Sequence, residues 1–568
     1  MIADLIKSAE ELPEYDVCIV GSGPAGATVA AELAGKGLSI CVLESGRLRV
    51  TRHGDALKQV ESTGIHIKDH SRERVLGGAS TTWSGLSSPL DETDLGPRPW
   101  LRHSGWPIAG SELFPYYEQA AERYRFPPTS LFTAAGLGAL RGSGVFAPEW
   151  DTLEEKTFLA CSDPQDFSQE VREIYERGDV DLYLDATVLR LTGELAGPGG
   201  SGEVAEAAVQ RVSAAILRSR DGAEHRLSAR IFVLGTGGIE NARLLLNSSD
   251  LCAAGLGNER DQVGRYLMNH PKNYHGIVHL AQPVEDVPYF FGCLHKGYAG
   301  YAGLRLQPRI QAERELLNSY VRLEPLFPWS DSRGIEALVL LVKRSTFFFR
   351  RWKKKREDEV VSLLDYSETG DDSELQNERK GLLDWIGLGF TILFDAPKVG
   401  RYLFHRLSGA RPMIRRVRLR NFMEMEPDPD NRVTLSDRQG PYGQPLPAVR
   451  HECTEADRRS LLALHEHLTE ELPRVGIGRL ETTLASEHPW PICQDASHHM
   501  GTTRMGTDPA TSVVRPDLRL HDVENVYLAG ASVFPTSGSA NPTYTIVALS
   551  IRLAEHLRGL NLNHESTP

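Results

Sequence analysis

Two adjacent histidines, His498 and His499, are followed by Asn541, 43 residues after the first, in a stretch otherwise rich in Gly, Ser and Thr. An imidazole titrates near neutral pH and can take the proton of an alcohol while the carbon gives up a hydride; an amide beside it can hold the same oxygen by hydrogen bonding. The chemistry open to such a pair is oxidation of a carbon that bears a hydroxyl group. Two blander roles are also open: His498 as a hydrogen-bonded structural histidine, and Asn541 as a helix cap. A departing hydride needs an acceptor, and the other end of the chain provides a place to hold one.

There the apolar run Tyr15–Val20 leads into Gly21, Ser22, Gly23, Pro24, Ala25 and Gly26, which open an alanine-rich helix. Gly21 permits the tight turn, Gly23 lets backbone N–H groups approach a pyrophosphate, and Gly26 lets helix and strand pack closely. Gly35 and Gly37 end the helix, Ile40–Leu43 forms a second apolar strand, and Glu44 closes it, followed by Ser45. An acid at that place can bond a ribose hydroxyl, and the helix N-terminus attracts the phosphates. Strand, glycine turn, helix, strand and acid together predict a dinucleotide cradle, but they do not separate NAD from FAD.

The C-terminal segment bears on that choice. Asn541 suits an N-cap and Pro542 the first helical position; Ile546, Leu549, Leu553 and Leu557 recur on one face, and Gly559 is a stop. Ser537, Gly538, Ser539 and Ala540 are small enough for a flat ring to approach. A helix N-terminus aimed at such a ring stabilises negative charge, which a reduced flavin carries and a nicotinamide does not. His499 is a secondary candidate, better suited to orienting the loop.

These elements sit in a chain of 568 residues, 40% hydrophobic and 24% charged, enough for a large core and two to four domain-sized units. The formal charge of −13 disfavours nucleic acid and anionic lipid, and it tilts the expectation toward neutral or cationic substrates. Seven scattered cysteines without a CxxC pair suggest neither a disulfide framework nor a metal site, so a reducing, cytoplasmic setting is expected. The acidic start MIADLIKSAEELPEYD does not read as a signal peptide, and no run is long enough for an integral membrane segment. Residues 337–356 contain LVLLVK, the run Phe347, Phe348, Phe349, and RRWKKKR; Leu382–Phe394 is a second apolar stretch. They read either as a docking surface for a membrane or electron-accepting partner, or as a helical lid with a solvated end. The lid is favoured, because nearby acids cancel the basic run. The polar, acidic stretch Asp365–Arg379 is expected to be a loop.

The motifs, taken in order, resemble the glucose-methanol-choline (GMC) family of flavoenzymes: the Gly21–Gly26 cradle with Glu44, RERVLGGASTTWSG (72–85), SGWPI (104–108), VLGTGGIENARLLL (233–246), VGRYLMNHP (263–271), NRVTL (431–435), HHMGTTRMG (498–506) and SANPT (539–543). They are most similar to the sugar-oxidising branch of pyranose oxidases, fructose and glucoside dehydrogenases and aminoglycoside 6'-oxidases. The resemblance implies an α/β fold: a Rossmann-like FAD-binding domain (1–110, 180–282 and 485–568) interleaved with a substrate domain built on an antiparallel sheet with helices (111–179 and 283–484), carrying a lid or insertion near 335–410. It implies that His498 and Asn541 face the flavin and the substrate carbon. Gly78, Ala79, Ser80, Thr81, Thr82 and Trp83 would border the flavin ring, Val188 within 187–189 would pass the adenine, and Gly235, Gly530, Ala531, Pro542 and Thr543 would complete the cofactor site. His270 is expected to be structural. Thr82 stands where pyranose oxidases carry a flavin-linked histidine, so FAD is expected to be non-covalent. The implied activity is oxidation of a primary or secondary alcohol of a sugar, glycoside or aminoglycoside-like substrate, with oxygen or another acceptor reoxidising the flavin. An NAD-dependent dehydrogenase, a membrane- or cytochrome-linked FAD dehydrogenase and a catalytically silent flavin-binding partner protein are the alternatives.

Overall fold

The computed structural model describes residues 2–5, 12–68, 71–141, 147–161, 163–195, 210–284, 293–295, 298–344, 382–410, 412–491 and 495–560. The strand Tyr15–Val20 is buried at every residue but Asp16, the pattern of a strand covered on both faces. It lies at the centre of a sheet ordered Ile2–Asp4, Asp181–Leu184, Ile40–Leu43, Tyr15–Val20, Glu224–Leu234, Gln210–Arg218, Thr187–Leu195. The first four strands and Glu224–Leu234 run parallel, with Val526–Leu528 alongside residues 232–234; the last three strands form an antiparallel meander. The helices Pro24–Leu33 and Gly110–Tyr124 both pack on the C-terminal helix Pro542–Gly559. Tyr544 of that helix is buried between Phe126, stacked at 4.6 Å, and Tyr117, edge-on at 4.9 Å.

A second sheet, antiparallel throughout, runs Cys293–His295, Tyr298–Leu306, Tyr320–Leu326, Ile414–Phe422, Ile277–Val284, Gly478–Glu481, with Leu153–Cys161 and Lys272–Asn273 pairing off this path. The helix Glu455–Arg474 backs it. A capping box of Thr454 and Asp457 starts that helix, and Leu461, Leu464, Leu468 and Leu472, spaced at three and four residues, bury one face. The expected α/β fold with helices on a mainly parallel sheet beside an antiparallel one is thus what the chain adopts.

A buried polar network joins the two layers. Arg98 donates to both oxygens of Glu424 (2.7 and 2.6 Å), and Glu424 also accepts from the backbone N–H groups of Asn318 (2.6 Å) and Gly538 (3.1 Å). Burial raises the cost of charge on Glu424, yet the Arg98 guanidinium holds its carboxyl below the usual range.

Packing divides the chain differently from the expected boundaries. Leu113, Tyr117, Ala120 and Tyr124, with Phe167, Ile174 and Tyr175, belong to the core around the parallel sheet, although 111–179 was assigned to the substrate side. Conversely, Lys272–Asn273 and Ile277–Val284, expected on the cofactor side, are strands of the antiparallel sheet. The reason is pairing: these strands bond to Ile414–Phe422, more than a hundred residues away.

The helices Arg333–Arg344, Leu382–Phe394 and Ala396–Ser408 pack on one another and meet the second core through Ile335, Val399 and Tyr402. Their described residues line no part of the central cleft, and residues 345–381 of the expected lid or insertion lie outside the described residues. Leu393, Phe394 and Leu407 remain 69%, 87% and 85% exposed. The Phe347–Phe349 run, the basic run after it and the stretch Asp365–Arg379 lie outside the described residues. No helix among the described residues is long and apolar enough to cross a membrane.

Candidate active site

The two sheets face each other across a cleft of about 610 Å³, within the range of cofactor and small-molecule sites. Its floor is the glycine turn. Gly21 has φ +98°, and a Cβ there would lie 2.7 Å from the Gly235 carbonyl oxygen; a Cβ on Gly26 would lie 2.0 Å from the Gly21 oxygen. Nothing lies within 4 Å of a Cβ built on Gly23, so the turn is open toward the cleft there. Glu44, at the end of the second strand, accepts from Ser22 Oγ (2.6 Å), Ser22 N (3.2 Å) and Gly46 N (2.7 Å). The Ser45 hydroxyl makes a longer fourth contact (3.4 Å), and a ribose hydroxyl could take its place on the carboxylate.

Gly21, Ser22, Gly23, Pro24, Ala25, Glu44, Ser45, Gly78, Ala79, Ser80, Thr82, Trp83, Val188, Gly235, Gly530, Ala531, Asn541, Pro542 and Thr543 all line this one cleft. Two expected residues do not. Gly26 is consumed in packing against the turn, and Thr81 folds its hydroxyl back onto the Gly78 carbonyl (2.9 Å). Thr82 Oγ1 bonds the Ala79 carbonyl (3.2 Å), and Trp83 Nε1 donates to the Gln165 carbonyl (2.7 Å), which fixes the indole beside the opening.

A cluster that sequence reasoning missed borders the same cleft. Arg72, Arg74 (3.1 Å) and Arg243 (2.7 Å) all pair with the single carboxylate of Glu240. Three guanidiniums on one carboxylate leave positive charge unspent, and Arg72 Nε and Arg243 Nη1 are buried without a hydrogen-bond partner among the described residues. Burial and the neighbouring arginines push Arg72 down to about 10. A diphosphate would satisfy both the charge and the donors. The residues present therefore fit FAD. The only signal in the sequence was the pair of arginines just before the Gly77-Gly78 turn.

At the far end of the cleft His498 lies in a loop held by Asp495, which accepts from Ser497 N (2.6 Å), His499 Nε2 (3.2 Å) and Asn269 Nδ2. His499 thus points into the loop and orients it. His498 Nδ1 is 2.9 Å from His270 Nδ1, and His270 Nε2 is 2.9 Å from the Gly538 carbonyl oxygen. A carbonyl only accepts, so His270 carries its proton on Nε2. Burial disfavours a charge on His270, so the ring is neutral and its Nδ1 is an acceptor. His498 must then donate from Nδ1, which leaves its Nε2 as a bare acceptor. Burial first, and then the adjacent His270, hold His498 well below the ordinary histidine range, so the ring is a neutral base near pH 7.

Asn541 takes the N-cap position of Pro542–Gly559, but its side chain does not cap the helix; Nδ2 donates to the Leu86 carbonyl (2.9 Å) instead. The first turn of the helix is consequently left with unsatisfied amides at the cleft wall. The small residues 537–540 are buried and are not among the residues that line the cleft; at Gly538 a Cβ would lie 2.7 Å from the Asp94 carboxyl, so packing requires glycine there.

Residues 427–550 match the GMC oxidoreductase family model and residues 14–60 an FAD-binding domain model. The chain is 27% identical over 350 residues to the fructose dehydrogenase large subunit of Gluconobacter japonicus, covering 61% of this chain and 51% of that one, so the match spans about half that relative's length. It is 25% identical to 6'''-hydroxyparomomycin C oxidase of Streptomyces lividus across 96% of this chain and 92% of the relative. The fold is similar to that of pyridoxine 4-oxidase from Mesorbium loti, with a TM-score of 0.51 at 15% identity over 95% of this chain and 98% of that one.

Proposed function

The chain belongs to the GMC oxidoreductases, with FAD as its cofactor, and on that premise we propose that it oxidises a primary or secondary alcohol of a sugar, glycoside or similar polyol to the aldehyde or ketone. FAD, when bound, supplies the hydride acceptor. His498 Nε2 takes the hydroxyl proton while His270 and the Gly538 carbonyl hold the productive tautomer. Asn541 gives one Nδ2 proton to the Leu86 carbonyl and keeps the other to donate to the substrate oxygen, which orients the hydroxyl. The uncapped N-terminus of Pro542–Gly559 offers amides and partial positive charge to negative charge in the cleft. The row of contacts from the Gly538 carbonyl through His270 to His498 Nδ1 is the observation that carries this reading. Cofactor attachment is non-covalent in this proposal, since the Thr82 hydroxyl at the edge of the cleft cannot form a histidyl link. The free thiols of Cys18, Cys41, Cys161, Cys252 and Cys453 suit a reducing, cytoplasmic setting.

The test is an anaerobic spectrum of the purified holoprotein titrated with a panel of sugars and glycosides. Bleaching of the flavin band by one of them is the expected result, slowed about a hundredfold or more in His498→Ala by loss of a general base. A flavin that no alcohol bleaches, or an unchanged rate in the variant, would overturn the reading. Reoxidation through a docked partner, membrane-bound or not, is a second reading favoured by the exposed Phe390, Leu393, Phe394, Phe404 and Leu407. Flotation with liposomes, lost in Phe394→Glu, checks its membrane form.

A further inference from the structure

The end of the cleft beyond His498 is walled by the antiparallel sheet, and this wall carries cations. Lys272 stands directly opposite Phe422 in the strand pair Lys272–Asn273 and Ile414–Phe422. Side chains two apart on a strand share a face, so Arg420 projects on the same face as Lys272 from the diagonal position. Both side chains reach the cleft that holds His498 and Asn541. Charge on Lys272 disfavours charge on His498, which puts the lysine near the ring proposed to take the substrate proton.

Among the described residues, Glu324 is the buried carboxylate on that face, and three arginines share it: Arg418 (3.0 Å), Arg420 (3.2 Å) and Arg322 (3.8 Å). Arg420 Nε is buried with no hydrogen-bond partner among the described residues, and its guanidinium lies over Phe422 (5.2 Å) and Tyr274 (5.4 Å), which fix its plane. Lys272 has no hydrogen-bond or ion-pair partner among the described residues, while burial and then the Arg420 and Lys68 charges push its amine well below the lysine range. The acids that line the cleft are Glu44, Glu73 and Glu240, and each is engaged elsewhere: Glu44 by Ser22, Glu73 by Lys58 and Glu240 by the arginine cluster. Asp495 is held by His499 and Asn269. Among the described residues, each carboxylate lining the cleft is thus engaged away from Lys272.

We propose that Lys272 and Arg420 form an anion subsite in the substrate end of the cleft, so that the polyol oxidised at His498 carries a carboxylate or phosphate group away from the reacting carbon. The subsite rests on the proposed function for its location beside the reacting carbon. It reverses the expectation drawn from net charge: the whole chain is negative, but the surface that meets the substrate is positive, and the local charge governs recognition. An oxyanion would gain the planar fork of Arg420 and, by favouring proton uptake on the Lys272 amine, an ammonium beside it, while an aminated sugar would meet repulsion.

The test titrates the FAD-loaded enzyme anaerobically with methyl β-D-glucopyranoside, the matching methyl glucuronide, D-glucose 6-phosphate, methyl glucosaminide, acetate and inorganic phosphate. The shift of the flavin band reports binding, and its bleaching reports turnover. Expected is binding of the anionic probes at least tenfold tighter than the neutral glycoside, with the ratio collapsing to below about twofold in Lys272→Met and restored in Lys272→Arg. The glucuronide and the phosphate distinguish the two sources of the charge. Equal or tighter binding of the neutral or aminated sugar, no band shift with any anion, or a preference that survives Lys272→Met would each overturn the subsite. If anions bind through Lys272 yet no alcohol bleaches the flavin, the proposed oxidation falls and the subsite stands; bleaching without anion preference gives the reverse.

Discussion

Substitution at His270 separates the two jobs its ring does. Asparagine places an acceptor oxygen near the Nδ1 position and so can still receive the His498 Nδ1 proton, but it cannot reach Gly538. Glutamine places its amide near Nε2, keeping the bond to the Gly538 carbonyl and losing the acceptor for His498. In His270→Gln the buried Nδ1–H of His498 is left unmet, at a cost of about 1–3 kcal/mol, and the ring is free to turn its proton toward the substrate. At 1.36 kcal/mol per tenfold, flavin reduction should slow by about 5- to 150-fold, while His270→Asn stays within a few fold of the parent. Stopped-flow bleaching under anaerobic conditions, followed across pH, is the assay. The parent rate should hold at pH values below 6.5 and fall only further into acid, because burial keeps His498 neutral. If His270→Gln is fast and His270→Asn slow, the ring serves Gly538 rather than His498 and the tautomer argument is refuted.

Gly26→Ala should yield protein unable to retain FAD, since its Cβ would sit 2.0 Å from the Gly21 carbonyl oxygen; the absorbance ratio of flavin to protein checks it. Arg72→Met should raise the FAD dissociation constant at least tenfold by removing a guanidinium from the Glu240 cluster, readable by flavin fluorescence on dilution. Acid should destabilise the fold through two buried histidines, His451, pushed down to about 4, and His465, pushed down to about 3, in both cases chiefly by burial. Below pH 6.5 the unfolded chain binds protons that the folded chain refuses, so stability is lost as pH falls from there toward the folded values. By pH 4.5 each costs about 2–3 kcal/mol, and urea unfolding should show that His465→Gln loses less stability between pH 6.5 and 4.5 than the parent by about that amount.

Local signals were legible where they decided the outcome. The strand Tyr15–Val20, the turn after it, the strand Ile40–Leu43 and the helix Pro542–Gly559 follow hydrophobic period, Pro and Gly, all short-range properties. What escaped depends on partners far along the chain. The contact of His270 with His498 spans 228 residues, and the Lys272, Arg420 pair exists only because two strands about 150 residues apart align. Asn541 misled in a smaller way: its cap preference was outcompeted by the Leu86 carbonyl, available only once the chain had folded. Gly538 showed the converse, a small residue required by Asp94, far away in the sequence.

Ribosomes deliver a chain N-terminus first, and here the nucleotide turn at residues 21–26 precedes His498, Asn541 and the strand Val526–Leu528 by more than 450 residues. Until that strand arrives, residues 232–234 of Glu224–Leu234 lack their neighbour on one side, and the core around Tyr544 lacks its closing helix. Flavin must therefore be taken up by the finished chain. The pool of free cofactor then decides how much newly made protein matures and how much is lost, independently of how fast it is translated.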